Sequence, residues 1–201
     1  MAQIYQCHFD NTNFLPTSLK QNLTQAIELI LIENKEVLEK INYSAIERLM
    51  EEITGAERIF VIGEGRSGLV IRMIAMRLIH LGYQINVLTD TTISSLKKGD
   101  LLIAFSASGS TSSVTTMATK VKKMGGRIVT VTTKSESALG KMTDVLIEMK
   151  AAKQSDSNQQ LKQFNDSLFE QSSLFLFDAI FNVLVDNLNN SAETIFATNA
   201  E

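Results

Sequence analysis

Apolar residues recur at helical spacing through the first quarter of the chain. Leu19, Leu23, Ala26, Ile27, Ile30, Leu31, Asn34 and Leu38 fall near i, i+3, i+4, i+7, which predicts a helix over residues 17–41 capped by Thr17 or Ser18. A second, short helix is predicted over 44–53, with Ser44 and Glu47 in capping-box register and Gly55 ending it. The pattern then changes. Strands are predicted at 58–62, 84–88, 101–105, 127–132 and 145–149, with 101–105 a continuous apolar run and 127–132 rich in β-branched residues, set off by Gly82, Gly99-Asp100 and Gly125-Gly126. Between them, helical patterns cover 67–81, about 112–124 and, briefly, 137–142. Strands alternating with helices of this length imply a parallel sheet covered on both faces. Right-handed crossovers make it a doubly wound α/β sandwich.

Beyond the last strand the polarity rises. Residues 151–163 read as a mobile loop or the solvated start of a helix, and by position and polarity they are the best lid candidate. Residues 165–188 then predict one long apolar helix. Its aromatics stand too close together for a single stripe, so it packs on two sides, one of them a candidate subunit interface. Residues 1–16 read as a leader that includes Pro16, the only proline, and residues 191–201 as a tail. Residues 17–190 form a single domain of N-terminal helices (17–53), sheet core (58–149) and C-terminal helix (165–188).

Composition narrows the function. The 201 residues suit one domain, and 44% hydrophobic with 20% charged residues is ordinary for a globular protein. A net charge of −3 implies no nucleic-acid surface. Cys7 is the only cysteine, which excludes an internal disulfide and a cysteine-rich metal site, and fits the cytoplasm. No signal peptide or membrane span is read in the pattern.

Candidate chemistry sits in two loops. Phe60 to Gly68 reads Phe-Val-Ile-Gly-Glu-Gly-Arg-Ser-Gly: an apolar run, a glycine-rich turn, then a helix. That order aims backbone N–H groups and the positive end of a helix dipole at one spot, which suits a phosphate. Ser106-Ala107-Ser108-Gly109-Ser110-Thr111 repeats the plan, and Ser112 and Ser113 extend its hydroxyls onto the helix start. Gly63, Gly65 and Gly68 also match the dinucleotide spacing G-x-G-x-x-G, with Asp90 near the distance of the ribose-binding acid. The hydroxyl cluster favours a phosphate monoester instead, since its oxygens are all acceptors and hydroxyls with N–H groups are donors. Arg66 could neutralise that phosphate or pair with Glu64, or with Glu170 of a neighbouring subunit. His80 fits two roles equally: an imidazole that protonates a ring oxygen or polarises a carbonyl, or a helix-terminal residue facing the dipole before Gly82.

Gly-Arg-Ser-Gly at 65–68, the run Ala-Met-Arg-Leu-Ile-His-Leu-Gly-Tyr at 75–83, Gly-Asp-Leu-Leu-Ile at 99–103 and the Ser-x-Ser-Gly-Ser-Thr loop at 106–111 resemble the sugar isomerase (SIS) domain. Within it they resemble the 6-phospho-3-hexuloisomerase branch, from about Leu23 to Leu188. The resemblance implies a three-layer α-β-α sandwich with a five-stranded parallel sheet, flavodoxin- or Rossmann-like, assembled as a homotetramer or dimer. It implies interconversion of 3-hexulose 6-phosphate and fructose 6-phosphate through an enediol, without metal or cofactor. By the same resemblance, Ser67 with Ala107, Ser108, Gly109, Ser110, Thr111 and Ser112 hold the sugar phosphate, and Gly65, Arg66 and Ser106 join them as candidates by their place in the two loops. Glu170, in Leu168-Phe169-Glu170, is the acid/base. The chain departs from the family at residues 89–94, at Ala107 and Ser110, and at residues 164–167. These changes cluster at the site and bear on which sugar phosphate fits. Two other readings follow: a non-catalytic domain that binds a sugar phosphate, and an aldose–ketose isomerase acting on another sugar phosphate.

Overall fold

The computed structural model describes residues 16–88, 95–150 and 167–189. Helix α1 (Pro16–Leu38) is followed by α2 (Tyr43–Gly55), β1 (Ile59–Gly63), α3 (Gly65–His80), β2 (Ile85–Val87) and β3 (Leu101–Phe105). Then come α4 (Ser112–Lys123), β4 (Arg127–Thr132), α5 (Ala138–Met142), β5 (Val145–Glu148) and α6 (Leu168–Asn189). Pro16 opens α1 rather than ending a leader, since its fixed φ and missing N–H are tolerated in a first helical turn. Residues 89–94 and 151–166, with the family departures and the lid candidate they hold, lie outside the described residues.

The five strands are all parallel, in the order β2-β1-β3-β4-β5. Alternate side chains feed two separate cores. Ile59 and Val61 of β1, with Leu101, Ile103 and Phe105 of β3, pack under α1, α2, α3 and α6. Phe60 and Ile62, with Leu102 and Ala104, pack under α4 and α5. Three layers result, as the period of two along a strand requires.

Helix α6 is long and apolar enough to cross a membrane by composition, yet Phe177, Ile180, Phe181 and Leu184 are buried in the first core. Arg77 of α3 ties onto it through Asp178 at 3.3 Å and lies 5.5 Å above the Phe181 ring.

Charge enters the interior at the opposite end of the strands from the glycine loops. Asp100, buried ahead of β3, accepts from Arg58 Nε at 2.9 Å, from Arg58 Nη2 at 2.6 Å and from Lys97 N at 2.5 Å. A carboxylate satisfied by three donors fixes the entry of two central strands. Asp100→Asn keeps the volume but gives up the charge assistance. It is expected to lower unfolding free energy by about 2 kcal/mol, read as a lower denaturant midpoint at unchanged m. On the same side, burial would raise the Asp144 carboxyl. Lys122 Nζ at 2.8 Å and Ile128 N at 2.9 Å outweigh it and hold the group below the usual carboxylate range.

Candidate active site

The loops that follow β1 and β3 lie side by side, because Gly63 and Phe105 are register partners on adjacent parallel strands. Helix α3 leaves β1 over one face of the sheet and α4 leaves β3 over the other. The crevice between the loops is therefore the switch point of the strand order, where open parallel sheets bind ligands. Each glycine of the first loop has a reason. Gly65 has φ +56°, and a Cβ on Gly68 would stand 2.7 Å from Gly63 O. The first turn of α3 thus sits directly against the end of β1.

Helix capping sets these two helices apart. Asn42 caps α2 through Ser44 N, and Ser137 caps α5 through Gly140 N. Neither Glu64 before α3 nor Thr111 before α4 makes a side-chain cap, although both are extended. Uncapped by the residue before them, two helix starts face one crevice and suit a bound acceptor.

The second loop is braced from behind. Ala107 O accepts from Thr133 N at 3.1 Å, Thr133 Oγ1 at 2.8 Å and Thr132 Oγ1 at 3.2 Å. Gly109 has φ +63°. Its N–H donates to Ser106 Oγ at 3.1 Å, and its carbonyl accepts from Leu139 N at 3.0 Å. Ser106 is buried and its hydroxyl lies 2.9 Å from that of Thr111. Ser108, Ser110 and Ser112 are exposed, with Ser110 N and Oγ both donating to Ser108 Oγ. Ser113 Oγ donates to Glu64 Oε1 at 2.8 Å and so joins the loops. The bracing threonines form the pair Thr132-Thr133 directly at the end of β4, a signal outside the loop motifs themselves.

Glu170 reaches the same crevice from the first turn of α6. Its side chain is 13% exposed. Oε1 accepts from Ser67 Oγ at 3.2 Å, while Oε2 is buried without a hydrogen bond among the described residues, 3.9 Å from Arg66 Nη2. The Arg66–Glu170 approach lies within one chain. Phe169 turns inward and meets Phe105 edge to face at 6.3 Å, and Phe105 packs on Phe177 at 5.4 Å. This aromatic stack places α6 over the end of β3. The structure thus brings together Gly65, Arg66, Ser67, the residues from Ser106 to Ser112, and Glu170. It does not bring His80 to them. His80 is exposed in the last turn of α3, fifteen residues and about 22 Å along the helix from Gly65. Among the described residues no three His, Cys, Asp or Glu cluster in a way that could hold a metal.

Comparison with known proteins places this geometry. Residues 52–178 match the SIS domain. The 3-hexulose-6-phosphate isomerase of Mycobacterium gastri is 36% identical over 180 residues, covering 89% of this chain and 90% of that one. The enzyme of the same name from Bacillus subtilis is 33% identical, covering 88% and 97%. Among solved structures, a Methanococcus jannaschii protein, whose structure was taken to infer a 3-hexulose-6-phosphate isomerase function, superposes with a TM-score of 0.68. It is 30% identical, over 84% of this chain and 92% of that one. This chain therefore belongs to the SIS domain family.

Proposed function

We propose that the chain is an isomerase that interconverts 3-hexulose 6-phosphate and fructose 6-phosphate. The observation that carries the reading is the position of Glu170. Its largely buried carboxylate stands against Ser67, in a crevice flanked by two helix N-termini without side-chain caps. The relatives at 33–36% identity are named 3-hexulose-6-phosphate isomerases, which supports the 3-ketose as one member of the pair.

The phosphate binds across the two loops, on backbone N–H groups at the starts of α3 and α4 and on the hydroxyls of Ser108, Ser110 and Ser112. Arg66, half exposed beside Glu170, supplies a cation. Glu170 takes the proton from C2 of the 3-ketose, the C2–C3 enediol forms as the C3 carbonyl oxygen gains a proton, and Glu170 returns the carbon proton to C3. The O2 hydroxyl proton leaves as the C2 carbonyl forms. One carboxylate on one face performs both carbon transfers.

The active form is an oligomer, a tetramer or dimer. Helix α3 exposes Leu69, Met73 and Met76 at half or more of their surface, in register with His80 at i, i+4, i+7 and i+11. Helix α1 exposes Leu19, Leu23, Ile27 and Leu31 likewise. Apolar stripes this long on two helices need a covering partner. If two copies of α3 pair about a two-fold axis centred between Met73 and Met76, His80 of each falls opposite Leu69 of the other, within a turn of Arg66. That arrangement gives the isolated histidine a route into a site. Light scattering tests it: Met76→Glu should shift the assembly to a smaller species, and a monomeric wild type would refute it. The cytoplasm, where sugar phosphates are handled and a lone Cys7 stays reduced, is the proposed compartment.

The assay follows fructose 6-phosphate converting to its 3-keto isomer, with arabinose 5-phosphate as comparison. Turnover of the first alone supports the proposal. Binding without turnover identifies a sensor, and reaction of arabinose 5-phosphate alone identifies an aldose–ketose isomerase.

A further inference from the structure

A buried amide joins α1 to the turn that carries Glu170. Asn34 is 2% exposed on a helix whose first half is exposed. Its Nδ2 donates to Ile30 O at 2.8 Å and to Gln171 Oε1 at 2.9 Å, and its Oδ1 accepts from Ser172 Oγ at 2.8 Å. Both donors of the amide are used, and the acceptor is engaged. The partners on α6 are the two residues immediately after Glu170.

The spacing decides what such a contact does. Consecutive helical residues project about 100° apart, so a group that holds both Gln171 and Ser172 fixes the rotation of α6 about its own axis. An apolar contact at the same place would allow rotation and sliding. A rotation of about 10° would carry a carboxylate roughly 6 Å off the axis through about 1 Å, a displacement large enough to cost a reaction about 100-fold. Glu170 lies in the first helical turn, where helices fray, and its hold on the site among the described residues is a hydrogen bond of 3.2 Å from Ser67 and an approach of 3.9 Å to Arg66. The apolar residues around Asn34 place α1 against α6. The amide adds a directional hold on the angle that those apolar contacts lack.

We infer that Asn34 is a positioning residue: through Gln171 and Ser172 it holds the first turn of α6 at the rotation that aims Glu170 at Ser67. The inference rests on the proposed role of Glu170 and extends it to a residue remote in sequence.

The test compares Asn34→Leu with Val37→Ala, a change at an equally buried apolar position of the same helix. Each is assayed with fructose 6-phosphate at a temperature where circular dichroism shows it folded. Asn34→Leu is expected to lower kcat about 10-fold with KM within twofold, whereas Val37→Ala lowers Tm and leaves kcat unchanged. Gln171→Leu should give the same split more weakly, and it carries the test if Asn34→Leu does not fold. Combining the two should add nothing to the larger single loss, because both act through one clamp. In a Glu170→Gln background Asn34→Leu should have no further effect on residual turnover. Wild-type kcat in folded Asn34→Leu, or in folded Gln171→Leu should the first not fold, overturns the inference while leaving the role of Glu170 standing. Wild-type kcat in Glu170→Gln alone overturns both.

Discussion

Glu170→Gln is expected to lower turnover of fructose 6-phosphate by about 1,000-fold or more, with sugar-phosphate affinity within a few-fold of wild type. The two side chains have nearly the same shape. The amide oxygen of the variant would still accept the Ser67 hydroxyl, so the crevice and the loops keep their geometry. What is lost is the lone pair that accepts a proton from carbon, and no amide replaces it near neutral pH. The loss should therefore fall on kcat and kcat/KM equally. Two measurements check this. Steady-state assays give the split, and titration calorimetry with fructose 6-phosphate gives affinity independent of turnover. Proton NMR in D2O adds a third, since wash-in of deuterium at C3 of fructose 6-phosphate should vanish with the base. Retained turnover or retained wash-in would remove Glu170 from the mechanism and leave the crevice as a binding site.

The architecture was legible because the central strands are buried on both faces. β1 and β3 are wholly buried, so each reads as an unbroken apolar run, and length with flanking glycines separates it from a helix. The ends were less clear. Periodicity carried the first helix to residue 41, but α1 stops at Leu38, and Ile41 is buried from the connecting turn. A residue can serve the core without belonging to the helix whose stripe it extends. The edge strand β2 spans Ile85–Val87 and is only half-buried, so its apolar flanks blurred its limits.

The site divides in the same way. The two loops could be found locally, since positive φ at Gly65 and Gly109 and the close approach at Gly68 require glycine. The base could not. Ser67 and Glu170 are 103 residues apart, and no local pattern marks a glutamate in an apolar helix as a site residue. Only the resemblance to the SIS domain singled it out. Asn34 shows the limit most clearly. It occupies a place in the helical stripe like any apolar residue, and its partners on α6 lie 137 and 138 residues away. Asp90, which the dinucleotide spacing had singled out, lies outside the described residues.

Gly109→Ala is the second large effect expected, and it falls on binding. The residue stands at φ +63°, where an L side chain is disfavoured by about 1–2 kcal/mol. The new Cβ would also overlap Ser137 Oγ, and would lie 2.5 Å from Ser137 Cβ and 3.0 Å from Thr132 Oγ1. Relief requires the loop to move outward. Ser137 cannot withdraw freely, because it caps α5, and Thr132 is fully buried. Outward movement breaks the hydrogen bond from Leu139 N to Gly109 O and turns the N–H groups ahead of α4 away from the crevice. Glu170 stands on the other side, on α6, and is not displaced. KM for fructose 6-phosphate should therefore rise about 100-fold with kcat changed little, since phosphate contacts are made alike in ground and transition states. Ser137→Gly in the same chain makes room for the methyl but leaves the φ penalty and removes the cap. It should recover part of the affinity without recovering Tm. A fall in kcat at unchanged KM would contradict this reading and would place the second loop at the reacting carbons rather than at the phosphate.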